Sequence, residues 1–332
     1  MIICMLIHPP LFAQEKGPRS LSDSIKPLGG NTEKMCSNDI ILFNLRKNPS
    51  YKAIEQAMNE AIRIASRALP GDTITLPVVV HIIHQDPNSI PDQDVIDGIK
   101  DLNDAFSKSG AYSASVGADT KLRFCLSQKD PDGGNTSGIT RTTSFLGDDL
   151  NMDNEDSRLK NLIQWDPNRY INIWLVSNIH GEAYVDFLCG SWYRLGVGGY
   201  ATLPPGGGAS DGIVIAGFGK TLAHEMGHYL GLYHTFEGGC NNYNCLTDGD
   251  MVCDTPPDNS VRPSFSCLFP QNTCRTDTLS NYSNGSFPAD VPDQVANFMD
   301  YGNGACSNEF TQGQADRMRA AILTQRAGLL QD

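Results

Sequence analysis

"HEMGHYLGLYH", residues 224–234, holds three of the chain's seven histidines, with one glutamate and one glycine, on a spacing of four, three and three. In a helix, positions i and i+4 fall on one face, so His224 and His228 point the same way about one turn apart. Glu225 sits beside them, close enough to reach a water held between the two imidazoles. Gly231 is the natural stop for this helix, because glycine takes the left-handed conformation without a Cβ penalty. The chain then turns, and His234 can swing back to the same point. Three neutral imidazoles plus one open position is the pattern of a catalytic zinc, which lowers the pKa of bound water to about 7. The competing reading is a buried amphipathic helix with incidental histidines. From average residue usage, HExxH arises by chance in on the order of one chain in a hundred of this length, and the glycine and third histidine lower that to roughly one in a hundred thousand. The metal reading stands.

Together with "GLYHTFEGGC", "CDTPP", "NFMDYGNGAC" and "FTQGQADRM", this signature resembles the pappalysin family of metzincin metalloproteases, its secreted bacterial members above all, from about Thr75 to the C-terminus. The resemblance implies that His224, His228 and His234 bind zinc and that Glu225 acts as general base and then proton carrier. It implies that Met299 forms an apolar floor under the metal and that Tyr301 hydrogen-bonds the tetrahedral intermediate. It also implies a Cys267–Cys306 disulfide tying a long loop to the methionine turn. Relatives bind calcium in the block matching "LTDGDMVCDTPPD", which makes Asp250, Asp254 and Thr255 the expected ligands. Hard oxygens in an irregular loop suit that ion, although the spacing is not that of an EF-hand and by itself describes a solvated acidic loop. Relatives that prefer Arg or Lys after the scissile bond carry an acid just before the cysteine that follows the methionine turn. Ala305 stands there instead, and residues 302–305 carry no charge. A desolvated guanidinium without a partner costs several kcal/mol, so a neutral or apolar residue is expected in the S1′ pocket.

Composition sets outer limits. The chain has 332 residues, 40% of them hydrophobic, enough for one large or two ordinary globular domains. No apolar run is long enough to span a membrane. "MIICMLIHPPLFAQ" reads as a secretory signal peptide cleaved after Ala13, without the usual positive n-region. Residues 14–70 carry nine Lys and Arg against six Asp and Glu, a net of +3; with −13 for the whole, residues 71–332 carry −16. A basic leader before an acidic body is consistent with a prosegment (14–70) drawn to its own catalytic domain (71–332), and the acidic body argues against nucleic acid. Six of the ten cysteines lie between Cys240 and Cys306. Two CxxC-like pairs are absent there, so disulfides are favoured over a second metal site, and sequence does not choose among the fifteen pairings. Cys36, in "EKMCSND", is a leftover thiol, an intermolecular bridge, or a thiolate that caps the zinc of a zymogen.

Along the chain, residues 14–34 form a polar arm. Residues 50–69 read as a helix with Ile54, Met58, Ala61, Ile62 and Ala65 on its inner face, ended by "PGD" at 70–72. "ITLPVVVHIIHQ" is a buried strand whose His81 and His84 face opposite ways and have ordinary partners. "DQDVIDGIKDLNDAF" is a helix capped by Asp92, with Val95, Ile96, Ile99, Leu102 and Phe106 inward. "KLRFCLSQ", "INIWLVS" and "DGIVIAG" are further strands, and "GYATLP" a short edge to which an extended peptide adds. The expected fold is a mixed five-stranded α/β sheet backed by helices, an upper half (71–231) ending in the zinc helix, and an irregular, disulfide-containing lower half (232–332) closing in a helix. The expected activity is a secreted zinc endopeptidase, made as a zymogen, acting on protein or peptide substrates. A zincin scaffold kept only for binding would have lost the glutamate. A structural zinc protein would need a fourth protein ligand, which Cys36 supplies only while the prosegment stays attached.

Overall fold

In chain order the computed structural model runs β1 (Met35–Cys36), α1 (Asn38–Leu45), α2 (Pro49–Ala65), β2 (Ile74–His84), α3 (Asp92–Ser107), β3 (Leu122–Leu126), β4 (Ile139–Thr143), β5 (Leu150–Asn151), α4 (Met152–Lys160), β6 (Ile171–Leu175), β7 (Ile179–Asp186), β8 (Ser191–Ala201), β9 (Ile213–Ile215), α5 (Lys220–Tyr229) and α6 (Gln312–Gln325). It describes residues 35–330 apart from 37, 68, 70, 187–190, 207, 209, 260–270, 282–286 and 302–305, and leaves aside the side chains of 35, 36, 40 and 182–195. The signal segment, the polar arm, Cys189, Cys267 and Ala305 lie outside the described residues. Among those described, no helix is long and apolar enough to cross a membrane.

Strand β2 is the spine, because its β-branched residues suit a surface buried on both faces. Val78, Val79, Val80, Ile82 and Ile83 are all fully buried. The sheet has nine strands in the order β3-β2-β6-β9-β8-β7-β5, with β4 beside β2 and β1 beside β8. It is larger than the five strands expected: β1, β4 and β5 are too short or too polar to show a two-residue period, and β7 was not anticipated either. All neighbours are parallel except β8, which runs antiparallel to β7 and β9. One core lies between the sheet and α3 and α5, where Phe106, Leu222, Met226, Phe298 and Phe310 meet. A second, on the other face, gathers around Trp174 with Leu150, Leu159 and Tyr200.

Several expectations change. "GYATLP" is an edge that is not open: Gly199, Tyr200 and Ala201 pair with β9 on one side, and β1 of the N-terminal segment runs parallel along the other at Val197 and Gly199. Asp92 is not a cap but the first helical residue of α3, where it pairs with Arg141 at 2.7 Å, and Pro91 precedes it. Ile96 is 45% exposed; its neighbour Gly98 faces inward because a Cβ there would lie 2.3 Å from the Phe218 ring. Helix α1 was not anticipated, as its apolar residues run consecutively and leave Phe43 and Leu45 exposed. His81 has ordinary partners, as expected: Thr140 Oγ1 at 2.7 Å and Asn172 Oδ1 at 2.9 Å.

Helix α2 starts where Asn48 accepts from Ser50 N–H and Pro49 fixes the first turn, and it ends at Ala65 rather than 69. Met58 and Ile62 pack on Ala320 and Ala321 of α6 as an apolar stripe should. Ile54, however, is 50% exposed, and Glu55 and Asn59 are buried in its stead. The surface under α2 is polar at that point. The Tyr233 hydroxyl donates to Glu55 at 2.9 Å, and the buried Arg317 donates to Asn59 Oδ1 at 2.6 Å and to Gly231 O at 2.8 Å. Asn59→Leu keeps the volume but removes an acceptor from a buried cation. It should destabilise the chain by about 2 kcal/mol in urea unfolding, the range for a hydrogen bond to a charged group.

Candidate metal centre

Every residue of α5 from Leu222 to Tyr229 is buried, so its histidines cannot be solvated and need partners. Gly231 follows at φ +93, a conformation other residues avoid, and turns the chain sharply. That turn brings the Leu232 carbonyl back to His228 Nδ1 at 2.9 Å. His224 Nδ1 meets the carbonyl of Phe298 at 2.5 Å, and His234 Nδ1 meets Asp39 Oδ1 at 2.6 Å. With an oxygen acceptor on each Nδ1, the proton sits on that nitrogen and the Nε2 lone pairs remain for a metal. The three Nε2 atoms lie 3.1, 3.1 and 3.2 Å apart. A tetrahedral zinc at its usual nitrogen distance needs an edge of about 3.3 Å. The donor set fits that ion. Burial pushes His224 down to about 3 and His228 well below the ordinary value, so both rings are neutral, the form a metal takes.

Glu225 is 1% exposed and lies against β8. A Cβ at Gly199 would be 2.8 Å from Glu225 Cγ, so this glycine lets the carboxylate side chain pass the strand. Met299 is fully buried beneath the helix; a Cβ at Gly227 would come within 2.5 Å of its sulfur. The turn carrying Met299 is held by Asn297, whose Oδ1 accepts Met299 N–H at 2.9 Å and the Gln314 amide at 3.0 Å. Tyr301 stands with its ring 4.7 Å from that of His234 and donates its hydroxyl to Asp39 Oδ2 at 2.8 Å. Burial works to raise the Asp39 carboxyl, but the electrostatic pull of the His234 ring and hydrogen bonds from His234 and Tyr301 outweigh it and hold it below the usual carboxylate range. Glu225, the three histidines, Met299 and Tyr301 thus converge. Asp39, Gly199, Gly227 and Asn297 join them and were missed. The glycine run "GVGG" was a signal for Gly199; nothing in the sequence pointed to Asp39.

The other expected residues sit apart. Asp250 accepts the Thr255 hydroxyl at 2.8 Å and Val252 N–H at 3.0 Å, and burial pushes its carboxyl up to about 7. Asp254 turns to α6, accepting the Thr311 hydroxyl at 2.7 Å and Gly313 N–H at 2.9 Å. Disulfides join Cys240 to Cys274 and Cys245 to Cys253. Cys306 is also disulfide-bonded, while Cys267 lies outside the described residues. For Cys36 the backbone alone is placed, opposite Gly199.

A family model described as Peptidase_M43, pregnancy-associated plasma protein-A, matches residues 153–323. An extracellular metalloprotease of Pyricularia oryzae is 25% identical over 92% of this chain and 95% of its own length. Extracellular metalloprotease 1 of Coccidioides posadasii is 38% identical over 39% of this chain, a match spanning 37% of that protein. Among solved structures, a mutant of Tannerella forsythia promirolysin superposes with a TM-score of 0.63 at 26% identity, covering 90% of this chain and 97% of its own. Mature Tannerella forsythia mirolysin in complex with a cleaved peptide gives 0.56 at 29% identity, covering 79% and 97%. The fold is of the mirolysin, metzincin kind. Gly227→Ala should test the packing under the histidines: despite alanine's better helix propensity, overpacking Met299 should cost about 1–3 kcal/mol. The loss in chemical unfolding should shrink when Met299→Ala is added.

Proposed function

Since the chain belongs to the peptidase M43 family, described as pregnancy-associated plasma protein-A, we propose that it is a secreted zinc endopeptidase kept as a zymogen by its own N-terminal segment. The convergence of three histidine Nε2 atoms beside a buried glutamate supports this most directly. Relatives named extracellular metalloproteases support export.

A zinc ion on these histidines would supply Lewis acidity and bring the pKa of water to about 7. Glu225 would take a proton from the attacking water and return it to the leaving amine. Tyr301, beside the histidines, would donate to the oxyanion that develops on the substrate carbonyl. An extended peptide would lie along β8 from Val197 toward Leu203. Met35 and Cys36 pair with that edge, and Asn38 Oδ1 accepts Ala201 N–H at 3.3 Å, so the N-terminal segment covers the strand that a substrate would use. Cys36 is proposed to cap the zinc, and Cys36→Ala should then give a proform that cleaves peptide before it is processed. The S1′ pocket at Ala305 is proposed to take a neutral or apolar residue, to be read from the cleavage sites in a proteome digest.

Glu225→Ala should keep zinc and fold while lowering peptide hydrolysis by about 10²–10⁴-fold; undiminished turnover in a purified, metal-loaded mutant would reject the assignment. Gly199→Ala should also keep zinc but lower turnover, because the added methyl displaces Glu225.

Calcium is proposed at Asp250, Asp254 and Thr255. Folding raises Asp250 from 3.8 to about 7, so without a cation the fold loses stability as pH rises between those values and no further above them. A bound cation holds the carboxylate ionised and offsets that loss. The rise in melting temperature on adding calcium should therefore be larger at pH 7.5 than at pH 5. A calcium-indifferent melting curve at both would return the loop to a solvated role.

A further inference from the structure

Asp39 is the one acidic side chain of α1, and its two oxygens do different things. Oδ1 lies 2.6 Å from His234 Nδ1, and Oδ2 accepts the Tyr301 hydroxyl at 2.8 Å. The contact is on the far nitrogen of His234, since Nε2 of that ring faces the other two histidines. Asp39 therefore stands behind the third metal donor and not in its place. The segment carrying it is anchored on both sides. Before it, β1 lies on β8 and Asn38 reaches Ala201. After it, Arg46 bridges Glu55 at 2.8 Å and Glu237 at 2.5 Å. The short connection between α1 and α2 contains Lys47, which is exposed.

We propose that Asp39 is a positioning residue and a latch. One carboxylate orients the His234 ring for the metal while it holds the Tyr301 hydroxyl away from the place where a substrate oxyanion would form. This rests on the zymogen reading above and adds to it, because the contact neither needs nor replaces a thiolate at the metal. The inhibitory segment then does two things through one side chain. It strengthens the metal site while the chain is latent, since an acceptor on a ligand histidine fixes its tautomer and raises its basicity. It also occupies the oxyanion donor, so loss of α1 frees Tyr301 while the Phe298 and Leu232 carbonyls still hold His224 and His228.

The test uses the full chain carrying Glu225→Ala, loaded with zinc, and two readouts independent of its own catalysis. Zinc affinity is measured by competition with a chromogenic chelator, and release of α1 by the rate of trypsin cleavage after Lys47. Asp39→Asn should weaken zinc binding about 10–100-fold, the usual loss when such a partner is removed, and should speed the cleavage several-fold. Tyr301→Phe should speed cleavage but leave zinc affinity within about twofold. The double variant should be cleaved no faster than Asp39→Asn alone, because both substitutions break the same bond. Asp39→Ala, which removes the amide as well, should give the same split if the Asn variant misfolds. Unchanged zinc affinity and unchanged cleavage in both Asp39 variants would overturn the proposal. So would a Tyr301→Phe variant that loses zinc as readily as Asp39→Asn. Failure of the peptidase reading would appear separately, as absent hydrolysis by the processed wild-type chain.

Discussion

An acceptor on the far nitrogen of an imidazole takes the proton there and leaves the other lone pair to aim at a metal, and each of the three histidines has one. In this chain those acceptors come from three places remote in sequence: Leu232 just past α5, Phe298 in the turn before Met299, and Asp39 in α1. Much of the surrounding architecture serves that condition. Gly231 exists to send Leu232 back under His228. Asn297, bound to Gln314 of α6, stiffens the turn that brings Phe298 to His224. A buried, unpartnered ring nitrogen would cost about 1–3 kcal/mol, so the second layer of contacts contributes to folding as well as to metal affinity.

The same condition explains why the N-terminal helices are so polar where they dock. Helix α2 meets the chain beside His234, and Tyr233 there carries a hydroxyl that must be satisfied. Glu55 and Asn59 supply partners, and Arg46 extends the network to Glu237. Apolar matching alone would have put Ile54 inward. Polar satisfaction won, because an orphaned hydroxyl or guanidinium in that interface costs more than one aliphatic side chain gains by burial.

Strand β8 carries the other half of the arrangement. It is the antiparallel member of a largely parallel sheet, and its two sides have separate uses. One side bonds β9 and places Gly199 against Glu225. The other is shared between β7 and the two-residue β1. A backbone edge beside a metal centre accepts any extended chain of suitable length, and here that chain is the protein's own.

The amino-acid sequence by itself determined the histidine-bearing helix α5, its glycine stop, the central strand β2 and the helical nature of α2, α3 and α6. Each of these rests on a local rule: i and i+4 on one face, φ > 0 for glycine, β-branched residues in a buried strand. Only the tertiary structure decided which residues stand behind the histidines, which face of α2 turns inward, and that the "GYATLP" strand is covered. Asp39 and His234 are 195 residues apart, and no periodicity or spacing links them. Such pairs are legible only once the sheet and its docked helices have brought distant segments together, because hydrogen-bond satisfaction is a property of the packed interior and not of any one segment.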